Sequence, residues 1–230
     1  MWLRVYNEIS RANHSCRANA VVNYDRSRKV GTLRALEPIA HGAEIFVNYL
    51  TSFDLGLMKR KDRQDTLKKS YGFTCQCTTC GLTGRARTAD DNLRARALER
   101  YKSVNKSYKG DAGWRPENND HVRKLKLTED LIRLIRDDLH ICDDRLAWVY
   151  QKLAELQHGL WEFADDYSQN NVKHCDHCAN EDEGRDWHLD QALDAYRRMR
   201  RVHLHTYGPR HPMIAEDSRL ENALLELTSL

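Results

Sequence analysis

Three short segments near the start of the chain have the residue pattern of β-strands. β-Branched and aromatic residues concentrate in 20–24, 31–36 and 44–49, and turn formers such as Pro38 and Gly42 lie between the segments. Such side chains favour strands because they pack well on a pleated surface, whereas glycine, proline and charge clusters favour turns. We therefore predict a small β region in this part of the chain.

The rest of the chain has the periodicity of amphipathic helices. A segment from Leu55 to Lys69, rich in Lys, Arg and Leu, predicts a short connecting helix. Further on, Leu189, Leu193 and Met199 recur at helical spacing, which predicts that one face of their helix is buried. Glycine, proline and polar stretches divide this part into five predicted helices, at 92–107, 121–140, 144–166, 187–206 and 213–228.

These patterns predict an α+β fold, in which a small β-rich part is followed by an all-α helical array. We place the divisions at 1–52 for the β-rich part, 53–88 for the connecting helix and a cysteine-rich loop, and 89–230 for the helices. Hydrophobic residues make up 40% of the 230, which is enough for a packed core.

The charge of the chain is nearly balanced. Lys and Arg total 37 against 34 Asp and Glu, for a net charge of +3. This value gives no strong attraction to nucleic acid or anionic lipid, so we expect neither direct nucleic-acid binding nor membrane association. The start lacks the apolar core of a signal peptide, and no stretch reaches the roughly 20 apolar residues of a membrane span. We expect a soluble protein of the cytoplasm, the nucleus or both.

Three cysteines lie within six residues, at Cys75, Cys77 and Cys80. Thiolates at this spacing can share one tetrahedral zinc ion, but a closed structural site needs a fourth ligand. The candidates are the eleven histidines and the other four cysteines, Cys16, Cys142, Cys175 and Cys178. Spacing alone does not choose among them. The alternative is a loop of free thiols, and the density of cysteine argues against it.

A second group of potential ligands lies at 174–178, where two histidines and two cysteines flank an aspartate. No second pair stands at a recognised ligand distance from it along the chain, although His140 and Cys142 precede it. We interpret this segment as a polar loop between helices, with a second metal site as the alternative.

Three motifs follow one another in the first third of the chain. They are Asn13-His14-Ser15-Cys16, the segment 42–49 that ends in Tyr49, and the segment 71–75 that leads into the cysteine cluster. In this order they resemble the SET-domain family of protein-lysine methyltransferases, and the flanking residues are most similar to its SET-and-MYND branch. The resemblance covers roughly residues 4–81.

The resemblance implies a structural zinc site. In the family, the cysteine of the first motif joins the three downstream cysteines on zinc, so Cys16 becomes the fourth ligand beside Cys75, Cys77 and Cys80. One position departs from the family pattern: Ala18 stands where proline is usual, which changes a turn without removing a ligand.

The resemblance also implies roles for a cofactor and a substrate. Tyr49 matches the catalytic tyrosine, and Asn13 and His14 match contacts to the cofactor S-adenosyl-L-methionine, which Tyr49 also approaches. Phe73 matches the aromatic residue that stacks on adenine, and Tyr71 one that lines the lysine channel. The implied substrate is a lysine of a histone or of another protein.

The family domain has a first half that precedes these motifs. Only twelve residues precede Asn13, so we expect that half to be absent and this chain alone to bind the cofactor weakly or not at all. The predicted function is S-adenosylmethionine-dependent protein-lysine N-methylation. The alternative is a non-catalytic helical-repeat binding module that retains a SET remnant, and a zinc-stabilised structural module without cofactor is the third hypothesis.

The segment from Asp190 to Pro212 resembles a tetratricopeptide-type (TPR-like) helix pair, of the kind that the SET-and-MYND branch carries after its cysteine cluster. Such helices stack to form a concave face, which implies a peptide partner on this part of the chain. The alternative is that the helices only pack against one another.

Overall fold

The structure, a computed structural model, describes residues 6–26, 28–108, 120–162 and 181–228. A small β-rich part is followed by helices, so the predicted α+β class with a helical tail is confirmed. The second histidine and cysteine cluster at 174–178 lies outside the described residues. Within the described ranges, no helix is both long and apolar enough to cross a membrane.

Two sheets of two strands each make up the described β-rich part. A short 3-10 turn leads into strand β1 (Asn13–His14), which pairs in parallel with β4 (Phe46–Val47). Strands β2 (Ala20–Asp25) and β3 (Val30–Ala35) form an antiparallel hairpin. The first two predicted strands are thereby confirmed. In the third predicted strand, at 44–49, only the two residues of β4 form strand pairs, because their partner β1 is itself two residues long.

The connecting segment forms two helices where the sequence predicts one. Helix α1 (Phe53–Gly56) begins at Ser52, whose hydroxyl accepts a hydrogen bond from the Leu55 amide at 3.3 Å. Helix α2 (Arg60–Tyr71) ends at Gly72, which has a φ of 78°. Glycine suits this left-handed position because it has no Cβ to clash, and the turn directs the chain into the cysteine loop.

Within the described ranges five longer helices follow, and each of the five predicted helical segments falls on one of them. They are α3 (Gly84–Tyr108), α4 (Asp120–Arg133) with a π-helical turn (Leu134–Asp138), α5 (Asp144–Glu162), α6 (Glu181–Tyr207) and α7 (Pro212–Leu227). Helix α3 begins eight residues before its predicted start. The added turns carry few apolar residues, so they lack the periodic signal, although Arg and Ala favour helix intrinsically. Helix α3 also crosses the predicted division at 88, and the division into domains stays a prediction.

The main core lies among the helices. Its fully buried members include Leu131, Ile135, Ala147 and Met199, from α4, its π-helical turn, α5 and α6. A smaller cluster between α6 and α7 contains Leu189 with Leu193 and Leu224. The burial predicted for one face of α6 is therefore confirmed.

The end of α6 holds the β2–β3 hairpin against the helices. The Asn23 side-chain amide donates to the Thr206 carbonyl at 2.6 Å, and the Arg34 Nε donates to the His205 carbonyl at 2.8 Å. The last carbonyls of a helix lack partners within the helix and carry partial negative charge, so they suit an arginine. This contact brings the helical part beside the β-rich part.

Candidate metal centre and adjoining aromatic wall

Four thiols from two distant parts of the chain meet at one place. The Sγ atoms of Cys16, Cys75, Cys77 and Cys80 all lie within 4.8 Å of one another, and those of Cys16 and Cys80 are 3.5 Å apart. Four sulfurs around one zinc ion at about 2.3 Å stand about 3.8 Å apart, so the arrangement is close to the tetrahedron that zinc prefers. Of the other candidate ligands, Cys142 is exposed and stands outside the cluster.

Local structure positions each half of this cluster. The Ser15 amide donates to the Val47 carbonyl at 3.1 Å, which extends the β1–β4 pairing to the residue before Cys16. On the other half, the Gln64 side chain of α2 brackets Cys75: its amide donates to the Cys75 carbonyl at 2.7 Å and its oxygen accepts from the Cys75 amide at 2.8 Å. Gln64 was not predicted, since one glutamine in a polar helix carries no sequence signal.

A second unpredicted residue, Arg63, touches the sulfur atoms directly. It is fully buried, and its Nε lies 3.3 Å from the Cys16 Sγ while its Nη2 lies 3.8 Å from the Cys80 Sγ. Its Nη1 donates to the Met58 carbonyl at 2.6 Å. The only sequence signal is that Arg63 shares a helix face with buried Leu67, and this spacing does not distinguish a buried arginine from a solvated one.

His14 lies between the cysteines and Tyr49. Its Nδ1 accepts a hydrogen bond from the Tyr49 amide at 3.0 Å, so in the neutral ring the proton is on Nε2. That nitrogen is 3.4 Å from the Cys16 Sγ and donates to it. Burial lowers the pKa of His14, which keeps the ring neutral at physiological pH. Both ring nitrogens of His14 are therefore hydrogen-bonded within the protein, and one of these bonds is to a sulfur of the cluster.

Hydrogen bonding among the four sulfurs shifts the pKa values of these thiols in different directions. The bond to Cys16 lowers the pKa of Cys77 and brings that of Cys80 to about 7, whereas the bond to Cys75 raises the pKa of Cys16. In the absence of an ion, the four sulfurs must share protons, because four adjacent thiolates repel one another. A divalent cation removes this conflict, since it binds the deprotonated form of each thiol.

An aromatic wall adjoins the cluster and consists of His14, Tyr49, Tyr71 and Phe73. The Tyr49 and Tyr71 ring centroids are 4.9 Å apart, and the Phe73 ring meets Tyr49 edge-on at 6.2 Å. The Tyr49 hydroxyl donates to the Ala12 carbonyl at 2.7 Å, and the Tyr71 hydroxyl donates to the Tyr49 carbonyl at 3.3 Å. Tyr71 is 51% exposed, so it is accessible to a ligand.

Asn13 lies at the surface beside this wall. Its side-chain amide donates to the Glu44 carboxylate at 2.6 Å, and Glu44 is in turn held by Asn19, whose amide donates to the Glu44 carbonyl at 3.0 Å. The structure thus brings all nine predicted site residues to one region. Their predicted catalytic, cofactor and ligand roles stay predictions.

A cavity of about 660 Å³ lies between the β-rich part and the helices. Tyr49 and Tyr71 line one side of it, and Asp143, Asp144 and Arg145 at the start of α5 line the other. Asn13, His14 and Phe73 are not among the residues that line this cavity. The contribution of α5 was not predicted, because only the folded chain brings residues 143–145 to the hairpin.

The first part of the chain is similar to a known protein family. A family model for the SET domain matches residues 3–50, which include β1 to β4 and end at the residue after Tyr49. This part of the chain is therefore similar to SET-domain sequences. The match confirms the predicted resemblance on a segment that contributes Cys16 but none of the three downstream cysteines.

Comparison with individual proteins identifies more specific relatives. N-lysine methyltransferase SMYD2 of Homo sapiens is 37% identical over 76 residues, which are 33% of this chain and 16% of that protein. SMYD2-B of Xenopus laevis is 38% identical over the same length and shares. Histone-lysine N-methyltransferase ASHR1 of Arabidopsis thaliana is 29% identical over 133 residues, 56% of this chain and 26% of that protein. The chain thus spans about a sixth to a quarter of these relatives, and its similarity to SET-and-MYND-like lysine methyltransferases is confirmed.

Proposed function

We propose that this chain is part of a protein-lysine N-methyltransferase that uses S-adenosyl-L-methionine. The observation that carries the proposal is the position of Tyr49: it lines a cavity together with Tyr71, and its hydroxyl is fixed by the Ala12 carbonyl. The similarity to named lysine methyltransferases of human, frog and plant supports the same function. By that similarity, the substrate is a lysine in a histone or in another protein.

Zinc is the proposed resident metal, held by Cys16, Cys75, Cys77 and Cys80. The donor set fits it, because four sulfur ligands in a near-tetrahedral cluster are typical of structural zinc and leave no open position for water. The metal therefore takes no part in methyl transfer. Its proposed role is to hold the end of α2, which carries Tyr71, and the following loop, which carries Phe73, against the β1–β4 sheet beside Tyr49.

The aromatic wall fits the two binding partners that the reaction needs. S-adenosylmethionine supplies, when bound, a methyl group activated on a sulfonium sulfur. Phe73 presents a partly exposed ring for stacking on adenine, and Asn13 presents polar groups at the surface beside it. Tyr49 and Tyr71 both line the cavity with ring centroids 4.9 Å apart, and aromatic rings suit a cationic or methylated amine.

Tyr49 is the proposed catalytic residue. Because its proton is donated to the Ala12 carbonyl, its oxygen is left to accept a hydrogen bond from the lysine amine. Such a bond fixes the direction of the amine, and alignment of the reacting atoms is a large part of catalysis in displacement reactions. The ring is held on three sides by His14, Tyr71 and Phe73, so the hydroxyl has little freedom to turn away.

The test measures cofactor binding and methyl transfer separately. Zinc-loaded protein is titrated with S-adenosylmethionine in a calorimeter and then assayed for transfer of labelled methyl to lysine-containing proteins, with lysine-blocked samples as controls. Tyr49→Phe is expected to bind the cofactor like the wild type and to lose about 100-fold or more in transfer rate. Tyr24→Phe, which changes a tyrosine on β2 outside the cavity lining, is the matched control and should leave both unchanged.

The opposite result favours the second candidate. Weak cofactor binding is compatible with the proposal as long as methyl transfer is detected and depends on Tyr49. If no transfer is detected at saturating cofactor, the proposal fails and the non-catalytic helical-repeat module is the better interpretation. The close packing of α5, α6 and α7 is the observation on which that candidate rests. A TPR-like face on these helices would then be tested by binding of peptides to the isolated protein.

A further inference from the structure

Two arginines are buried beside the cysteine cluster and share one carboxylate. Arg63 is fully buried and Arg94 is 2% exposed. The Asp90 carboxylate accepts from the Arg94 Nε at 2.9 Å and lies 3.8 Å from the Arg63 Nη2. The Arg94 Nη1 donates to the Gly56 carbonyl at 2.8 Å, so this network joins α1, α2 and α3. Two positive charges thus face one negative charge in this network.

The positive charge that Asp90 does not compensate lies on Arg63, beside the sulfur atoms. A buried charge is retained in proteins only where opposite charge and hydrogen bonds compensate for lost water, and Arg63 turns two of its nitrogens toward the Sγ atoms of Cys16 and Cys80. Four neutral thiols would leave that charge uncompensated. Four thiolates on a divalent ion carry a net charge of about −2, which attracts the guanidinium and gives its N–H groups strong acceptors.

We infer that Arg63 is the counter-charge of the metal centre: its Nε and Nη2 donate to the thiolates of Cys16 and Cys80 when zinc is bound, and this contact seats α2 against the cluster. The inference rests on the metal-binding part of the proposed function. His14 gives Cys16 a second N–H donor, so this ligand is the most heavily hydrogen-bonded of the four in the contacts described. Cys16 is also the ligand that comes from the distant part of the chain.

The physical consequence concerns how firmly the ion is held. Donors to a metal-bound thiolate withdraw electron density from sulfur and oppose its protonation, so they slow the loss of the ligand. Residues in this outer shell typically change metal affinity by about 10- to 100-fold when replaced. Arginine suits this position because its fork can reach Cys16, Cys80 and the Met58 carbonyl at once, whereas a lysine ammonium is a single point.

The experiment compares Arg63→Met and Arg63→Lys with the wild type in the zinc-loaded protein. The rate of zinc release to a colorimetric chelator is expected to rise about 10- to 100-fold in Arg63→Met and by less in Arg63→Lys. Lys61→Met is the matched control, since it removes one positive charge from an exposed position on the same helix. It should release zinc at the wild-type rate.

A spectroscopic measurement distinguishes this role from simple packing. With Co²⁺ in place of zinc, the sulfur-to-metal charge-transfer band should move to lower energy in both Arg63 variants, because sulfur that loses a donor gives up electrons more easily. Lys61→Met should not move it. If Arg63→Met does not fold, Arg63→Lys still decides the question through the same band.

The outcomes separate this inference from the function on which it rests. Wild-type release rates and an unmoved Co²⁺ band in the Arg63 variants would overturn the counter-charge role while leaving the zinc site intact. A wild-type protein that binds neither zinc nor Co²⁺ would overturn the metal site itself. Faster release with an unmoved band would also count against the inference, because it would indicate loosened packing and not a lost donor.

Discussion

Replacing Cys16 with serine tests whether the cluster is a metal site that joins two distant parts of the chain. The Sγ atoms of Cys16 and Cys80 lie 3.5 Å apart although 64 positions separate the residues. Serine is nearly the same size as cysteine, but its hydroxyl is a much poorer zinc ligand at neutral pH because it keeps its proton. The variant should therefore retain only the three thiolates of the downstream loop, and the cross-link should be lost.

The size of the effect follows from the loop that the metal closes. In the chain-entropy treatment of a cross-link, a closed loop of 64 residues contributes about 4 kcal/mol to the free energy of unfolding at about 25 °C. Cys16→Ser should lower the free energy of unfolding by about this amount when zinc is saturating. With zinc removed from both proteins by a chelator, the difference should shrink to a small fraction of it, because neither then has the cross-link.

The assay is urea unfolding followed by circular dichroism, with and without chelator, together with zinc content by elemental analysis. We expect one tightly held zinc per wild-type chain and clearly less in Cys16→Ser. Cys142→Ser is the control, since it makes the same chemical change at an exposed cysteine outside the cluster. Equal zinc content and equal zinc-dependent stability in Cys16→Ser and the wild type would refute the reasoning.

Three further predictions concern stability, each checked by denaturant unfolding. Gly208→Ala should lower the free energy of unfolding by about 1–2 kcal/mol, because Gly208 has a φ of +87°. The loss should be slightly larger than for Gly42→Ala, since of these two positions only Gly208 would bring the added Cβ against an arginine side chain. Leu131→Ala should cost about 2–5 kcal/mol, because Leu131 is fully buried, whereas Leu225→Ala, 37% exposed, should cost far less. Burial raises the pKa of Tyr196 to about 12 from 10.0, so its contribution to stability should be complete below pH 10.0 and decline as the pH approaches 12.

The controls for these predictions lie in the same comparisons. Equal losses for the two leucine variants would contradict the described core. For the alkaline transition, Tyr196→Phe removes the titrating group, so the variant should lose less stability between pH 10.0 and 12 than the wild type. A wild-type protein equally stable across that range would contradict the burial of this tyrosine.

Much of the fold is visible in the sequence because its signals are local. The β2–β3 hairpin follows from β-branched residues between turn formers, and the buried face of α6 follows from helical spacing of apolar residues. The two-residue length of β4 is not visible in this way, since it depends on β1, a partner more than thirty positions away. The break between α1 and α2 is likewise set by contacts, as the Met58 carbonyl there accepts from the Arg63 side chain.

The residues of the site likewise fall into those that the sequence predicts and those that only the fold reveals. Spacing predicted a metal site at the three downstream cysteines, and the resemblance carried by the three ordered motifs implied the aromatic residues around Tyr49. Spacing did not choose the fourth cysteine, and the resemblance to the SET family did. Nothing in the sequence singled out Arg63, whose importance comes from being sealed from water beside sulfur.

The sequence by itself determined which chemical groups this protein possesses and in which local elements they stand. Only the tertiary structure decided which of them meet: it set the α5 residues Asp144 and Arg145 across a cavity from Tyr49, and it turned a buried guanidinium toward Cys16. The physical reason is that hydrophobic periodicity specifies burial of a face, whereas charge compensation and metal ligation depend on distances between residues far apart in the chain.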